Sequence, residues 1–126
     1  YVQYSFARIS SLFRTLKKDL NDKIDLDSKT FSLNENEIKI LRKIFEWPKI
    51  IETASTKYEP HKIPYYLYEL ATLFHSYWSR GNDDQSFKFI KDGKIKKIET
   101  LAIIVLIATV IQRGMSILGV SLPNKM

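Results

Sequence analysis

Tyr1-Val2-Gln3-Tyr4-Ser5-Phe6-Ala7-Arg8-Ile9 opens the chain, and Ser10 to Leu20 continues it as SSLFRTLKKDL. At about 100° per residue, Val2, Phe6, Ile9, Phe13, Leu16 and Leu20 fall in one narrow arc, the core-facing spacing of a helix. Tyr1, Tyr4 and Arg8 gather roughly 120° from the centre of that arc by the same rotation. Tyr1 and Tyr4 are i,i+3 neighbours and Tyr4 and Arg8 are i,i+4 neighbours, so their side chains can meet. Aromatic rings and a cation held off the core stripe suit a surface that stacks on planar, anionic partners, as unpaired RNA bases are. The plain alternative is that two tyrosines at the start of a helix are ordinary surface.

The remaining sequence extends the helical reading. Asn21 to Asn34 is polar and reads as a loop. Asn34, with Glu37 three residues on, has the capping-box spacing and starts a second helix whose stripe is Ile38, Leu41, Ile44 and Phe45. Pro48 predicts a break near Trp47 and a fresh helical segment running to about Tyr58. Glu59-Pro60-His61 makes a short connection, and the next main helix runs from Lys62 or Pro64 to Ser79. Its inner face is Ile63, Tyr66, Leu67, Leu70, Phe74 and Tyr77. Arg80 to Asp92 reads as a loop whose Phe87, Phe89 and Ile90 pack down on the bundle. The last helix runs from Gly93 or Lys94 to Leu118, apolar all round in the middle and so expected at the bundle centre. Gly119 supplies its left-handed cap, and Val120 to Met126 is a tail. No strand is expected; the fold class is all-α, a bundle of four to six helices.

Composition sets outer limits. The 126 residues suit one domain with a single core. With no cysteine, disulfides and thiolate metal sites are excluded. Twenty Lys and Arg against 14 acids give a formal charge of +6, which favours polyanionic partners. The longest apolar run, Leu101 to Ile111, is interrupted only by Thr109 and falls short of the roughly 20 residues a bilayer span needs. No membrane partner and no signal peptide are expected. The chain starts inside a helical pattern without Met, as a piece of a larger protein would.

Catalytic patterns are missing from the sequence: no Gly-rich phosphate loop, no metal-ligand spacing, and two distant histidines, His61 and His75, that read as structural. Binding chemistry is better represented. Arg8, Arg14, Lys17 and Lys18 lie on the first helix, and Lys88, Lys91, Lys94, Lys96 and Lys97 form a second basic group. Cations near phosphates release counterions and make affinity salt-dependent.

Three segments also carry a family resemblance. Tyr1 to Ile9 resembles the YVQYAHARI segment that opens the C-terminal anticodon-binding domain of arginyl-tRNA synthetases. Glu59-Pro60-His61-Lys62-Ile63, Tyr66 to Ala71 and Phe74-His75-Ser76 resemble that family's EPHRIxxYLYDLAxxFHSFY stretch. Leu118 to Met126 resembles its terminal LGVSAPERM. The segments fall in the family's order and reach the end of the chain.

The resemblance implies a helical bundle of the DALR type that grips a tRNA anticodon loop. It implies a full-length arginine–tRNA ligase that joins L-arginine to arginine tRNAs, consuming ATP with Mg, as a cytoplasmic monomer. The HIGH-like and KMSK-like motifs of that chemistry are not in this sequence, so this fragment alone has no catalytic site and no cofactor. By motif, the tRNA-binding residues are Tyr1, Gln3, Tyr4, Arg8, Tyr77 and Met126. The sequence departs from the family pattern at Phe6 in place of His, at Trp78-Ser79, and at Asn124-Lys125 in place of Glu-Arg. Two rival readings fit the same residues: a stand-alone helical RNA-binding module and a protein-interaction bundle.

Overall fold

A computed structural model of the chain describes residues 2–16, 32–91, 94–95 and 97–119. The apolar arc of the N-terminal stretch folds as helix α1, Val2–Thr15, and buries Phe6, Ile9, Leu12 and Phe13. The expected extension to Leu20 or Asn21, and the loop after it up to Phe31, lie outside the described residues.

Helix α2, Glu35–Phe45, starts on the expected capping box, with Asn34 and Glu37 bonded reciprocally. Glu46 ends it, and helix α3, Trp47–Thr56, begins at once with Pro48 in its first turn. The stripe expected on α2 needs correction. Glu37, Ile40 and Ile44 are buried, whereas Ile38 is 39% and Phe45 74% exposed. The capping glutamate causes the rotation: once its carboxylate is satisfied inside the bundle, the helix face that follows it at i+3 and i+7 must also face inward.

Helix α4, Lys62–Asp83, buries all six residues of its expected inner face and packs against α1, α2, α3 and α5. It runs four residues past the expected end at Ser79. The segment from Gly81 packs under the following turn, where an added Cβ would sit 3.1 Å from the Phe87 carbonyl oxygen. A 3₁₀ turn at Gln85–Phe87 follows, capped by the Asp84 carboxylate.

Contrary to expectation there is a strand pair. β1, Ile90–Lys91, and β2, Lys94–Ile95, form a two-residue antiparallel ladder with Ile90 opposite Ile95. The hairpin delays helix α5 to Ile98–Ile117. Gly119, at φ 74°, takes the left-handed cap position as expected.

α5 is 20 residues long and holds an 18-residue window of mean hydropathy 1.9, long and apolar enough to cross a bilayer by length and composition; the shorter unbroken run in the sequence understated it. Here it packs on α1, α2 and α4. It is not the hub, since α4 holds that place, and Leu106 and Ile117 on its outer flank are 41% and 55% exposed. Gly114 sets its distance from α4, because a Cβ there would come within 2.7 Å of the Leu67 Cδ1.

Candidate nucleic-acid interface

The N-terminal half of α1 lies against the middle of α4. Tyr4 projects from the edge of that contact, 45% exposed, while Ser5 and Phe6 beside it are buried. The Arg8 guanidinium donates to the Tyr4 hydroxyl at 2.9 Å and sits 5.2 Å from its ring centroid. The same guanidinium lies 4.9 Å from the Trp78 ring of α4. A cation held between an aromatic ring of each helix ties the helices together at the surface.

Below the surface, His75 supports the arrangement. Its Nε2 lies 2.9 Å from the Ser5 hydroxyl, and its ring is tilted against Tyr4 at 5.7 Å between centroids. Burial, and next the Arg8 charge, push the His75 imidazole below its ordinary pKa. It is therefore a neutral ring behind Tyr4 near pH 7.

Tyr4, Arg8, Ser11, Arg14, Thr15 and Trp78 line an open groove of about 520 Å³. Its chemistry is a phenol, an indole, two guanidiniums and two hydroxyls. Such a surface can stack bases and meet phosphates.

The expected binding residues separate into distinct groups. Tyr4 and Arg8 come together in the groove, and Gln3 is half-buried on α1. Tyr1 and Met126 lie outside the described residues, as do Lys17, Lys18 and Lys96. Among the second basic group, Lys88 and Lys94 are exposed. Lys97 instead ion-pairs with Glu37 at 2.9 Å and donates to the Ser32 carbonyl at 3.0 Å.

Tyr77 lies in the core, where its place on the inner face of α4 puts it. It is 3% exposed, packed edge-on against Phe89 with centroids 4.5 Å apart. Its hydroxyl donates to Glu37 at 3.0 Å and accepts from the Asn34 amide at 2.9 Å. So enclosed, the ring joins α2 to α4. Desolvation in this position raises its hydroxyl pKa to about 12.

Glu37 is the centre of that buried network. Fully buried, its carboxylate accepts from Asn34 N, Tyr77, Lys97 and Thr100. Burial acts to raise its pKa, but the hydrogen bonds from Thr100, Lys97 and Asn34 and the Lys97 charge together hold it below the ordinary value. Among the described residues no group of three or more His, Cys, Asp or Glu could hold a metal ion.

Trp78 and His75 are the site residues that sequence reasoning missed as site residues. Both flank Phe74 on α4, one and four residues on, at the edge of the buried stripe. Aromatics at a stripe edge are the available signal, but their meeting with Arg8 and Tyr4 depends on which helix packs there.

This arrangement of helices carrying an aromatic–guanidinium face defines a class: the chain belongs to the DALR anticodon binding domain family, whose model matches residues 2–126. Within that class it is similar to the arginine–tRNA ligases of Pelagibacter ubique, 48% identical over 126 residues, and Ruegeria pomeroyi, 40% identical over 131 residues. Each alignment takes in 100% of this chain and 22% of the relative, so the chain spans about a fifth of the length of these relatives. Its structure is similar to a crystal structure assigned as an arginyl-tRNA synthetase from Campylobacter jejuni. The TM-score is 0.78 and the identity 27%, covering 100% of this chain and 26% of that one.

Proposed function

We propose that the α1/α4 face binds the anticodon loop of arginine tRNAs. In this reading the domain serves an arginine–tRNA ligase that joins L-arginine to its tRNA in the cytoplasm, with ATP as a substrate and Mg beside it. The observation that carries the reading is the exposed Tyr4 ring held next to Arg8 and Trp78 in an open groove. Tyr4 offers a stacking surface, and Arg8 and Arg14 offer charge to phosphates. Tyr1, Gln3 and Met126 extend the surface by their motif positions. The domain's part in the reaction is positional. Gripping the loop fixes the tRNA so that its acceptor end reaches an active site formed elsewhere in the protein, which acts as a monomer.

The test is tRNA binding by the full-length protein, comparing arginine tRNA with the same tRNA changed at the middle anticodon base. The changed tRNA should bind more weakly by about 1–3 kcal/mol, the worth of one stacked or paired base. Binding should also fall with salt at a log–log slope of several units. Equal affinity for both tRNAs, or a flat salt response, would sink the reading and favour a protein-docking role.

A further inference from the structure

Trp78 stands between two depressions. On one side is the Tyr4–Arg8 groove; on the other is a smaller slot of about 200 Å³ that reaches to the hairpin. Trp78 and Leu12 line both, so the two adjoin across these side chains. Three aromatic rings, those of Trp78, Phe87 and Phe89, stand in the slot's walls beside the aliphatic Leu12 and Ile90. Phe89 is 4% exposed and meets Trp78 edge-on at 5.5 Å, and Phe87 is fixed beneath the Arg80 guanidinium at 3.8 Å. Gly81 belongs to this lining, and its lack of a side chain is what lets the turn at Phe87 and Lys88 close against α4.

Asn82 and Lys88, both exposed, supply the polar groups of the slot. A carboxamide has a donor and an acceptor side by side, the complement of a base edge. An ammonium meets a phosphate as a point charge. Of the acids just beyond, Asp84 is engaged by the Ser86 N–H and hydroxyl at 3.0 and 2.8 Å, and Asp83 is exposed.

We propose that this slot is a second nucleotide subsite of the same RNA interface. A neighbour of the base on Tyr4 enters it, stacks on the hairpin side of Trp78, offers its edge to Asn82 and its phosphate to Lys88. The proposal rests on the α1/α4 face being the RNA-binding surface. It adds that the bound strand crosses Trp78 toward the hairpin instead of continuing along α1 past Thr15.

Anticodon stem-loops with one abasic loop position at a time, titrated into the full-length protein, test it. The variants are Tyr4→Ala, Asn82→Ala and Lys88→Ala; the last two alter exposed side chains and leave the fold intact. Trp78 is left unchanged because its ring packs on Phe74 and Phe89. Asn82→Ala and Lys88→Ala should each weaken binding by about fivefold, and Lys88→Ala should lower the salt slope by about one unit. One loop position, different from the one coupled to Tyr4, should cost the wild type about tenfold when abasic yet cost Asn82→Ala under about twofold. Wild-type-like binding by Asn82→Ala and Lys88→Ala, with Tyr4→Ala still weakened, would overturn the second subsite alone. Insensitivity of binding to Tyr4→Ala and to every abasic position would overturn the RNA interface itself.

Discussion

Tyr4 and Tyr77 carry the same side chain, and the sequence motifs place both against a nucleotide, yet the fold gives them opposite surroundings. Tyr4 is 45% exposed with its hydroxyl held by the Arg8 guanidinium; Tyr77 is 3% exposed with its hydroxyl held by a buried carboxylate and an amide. The difference is rotational. Tyr77 follows Tyr66, Leu67, Leu70 and Phe74 on the stripe that faces the bundle, whereas Tyr4 stands off the Phe6–Ile9–Phe13 stripe. Motif membership says that a residue matters; its helical phase says whether it matters by touching a ligand or by holding the scaffold. The two regions can be separated experimentally because one should move stability and the other affinity.

The largest effect belongs to the buried network. Glu37→Ala leaves Tyr77, Thr100 and the Asn34 N–H without their acceptor and Lys97 without its partner. Urea unfolding should show a loss of about 3 kcal/mol or more, because Tyr77, Thr100 and the Asn34 N–H lose a buried acceptor at about 1–3 kcal/mol each. The folded fraction should still bind RNA as before. A stable Glu37→Ala protein with weakened RNA binding would reverse the assignment of the two regions.

Next comes Tyr4→Ala. Removing the exposed ring should weaken anticodon stem-loop binding by about 1–3 kcal/mol. Stability should change by less than about 1 kcal/mol, because the ring is a surface group whose departure creates no cavity. A large fall in Tm with unchanged affinity would place Tyr4 with the core.

Tyr77→Phe should be smaller still. It keeps the ring against Phe89 and deletes only the hydroxyl, leaving the Asn34 amide and one Glu37 oxygen short of a partner. A stability loss of about 1–2 kcal/mol with unchanged RNA affinity is expected. Weakened RNA binding at full stability would restore Tyr77 to the interface.

How much of this was legible in the sequence differs between the same regions. The meeting of Tyr4 and Arg8 follows from an i,i+4 spacing, and the inner face of α4 follows from its period, because both are properties of a single helix. The capping box at Asn34 and Glu37 was also legible. That Glu37 then turns fully inward was not, because its partners Tyr77, Lys97 and Thr100 come from α4 and from the start of α5. Missing that, the sequence reading put Ile38 and Phe45 in the core. Trp78 belongs to the groove only through the packing of α1 on α4, which no local period encodes. The hairpin was invisible because two-residue strands are too short to show alternation.

The finest test uses acid, because each region holds a titratable group with its own window. Glu37 has a folded pKa below its ordinary 4.5, so the unfolded chain takes up its proton first. Its contribution is complete above that value and is lost as pH falls below 4.5 toward the folded pKa. His75 is likewise lowered, from 6.5, but it is the neutral ring that is favoured. Below pH 6.5 the unfolded chain binds a proton that the folded one resists, so stability falls earlier, before Glu37 titrates. Thermal unfolding of wild type, His75→Gln and Glu37→Gln between pH 7 and 4 should therefore resolve two steps. His75→Gln should flatten the decline just below pH 6.5 and leave the lower step in place; Glu37→Gln, less stable throughout, should keep the upper decline and lose the lower. Protonated His75 would also stand as a second cation beside Arg8 and behind the Tyr4 ring, so RNA affinity should change where the folded ring itself takes up its proton, below the onset of the upper step, and only in proteins that retain His75. An affinity change that persisted in His75→Gln and disappeared in Glu37→Gln would mean that the Glu37 network, and not the ring behind Tyr4, sets the shape of the RNA-binding face.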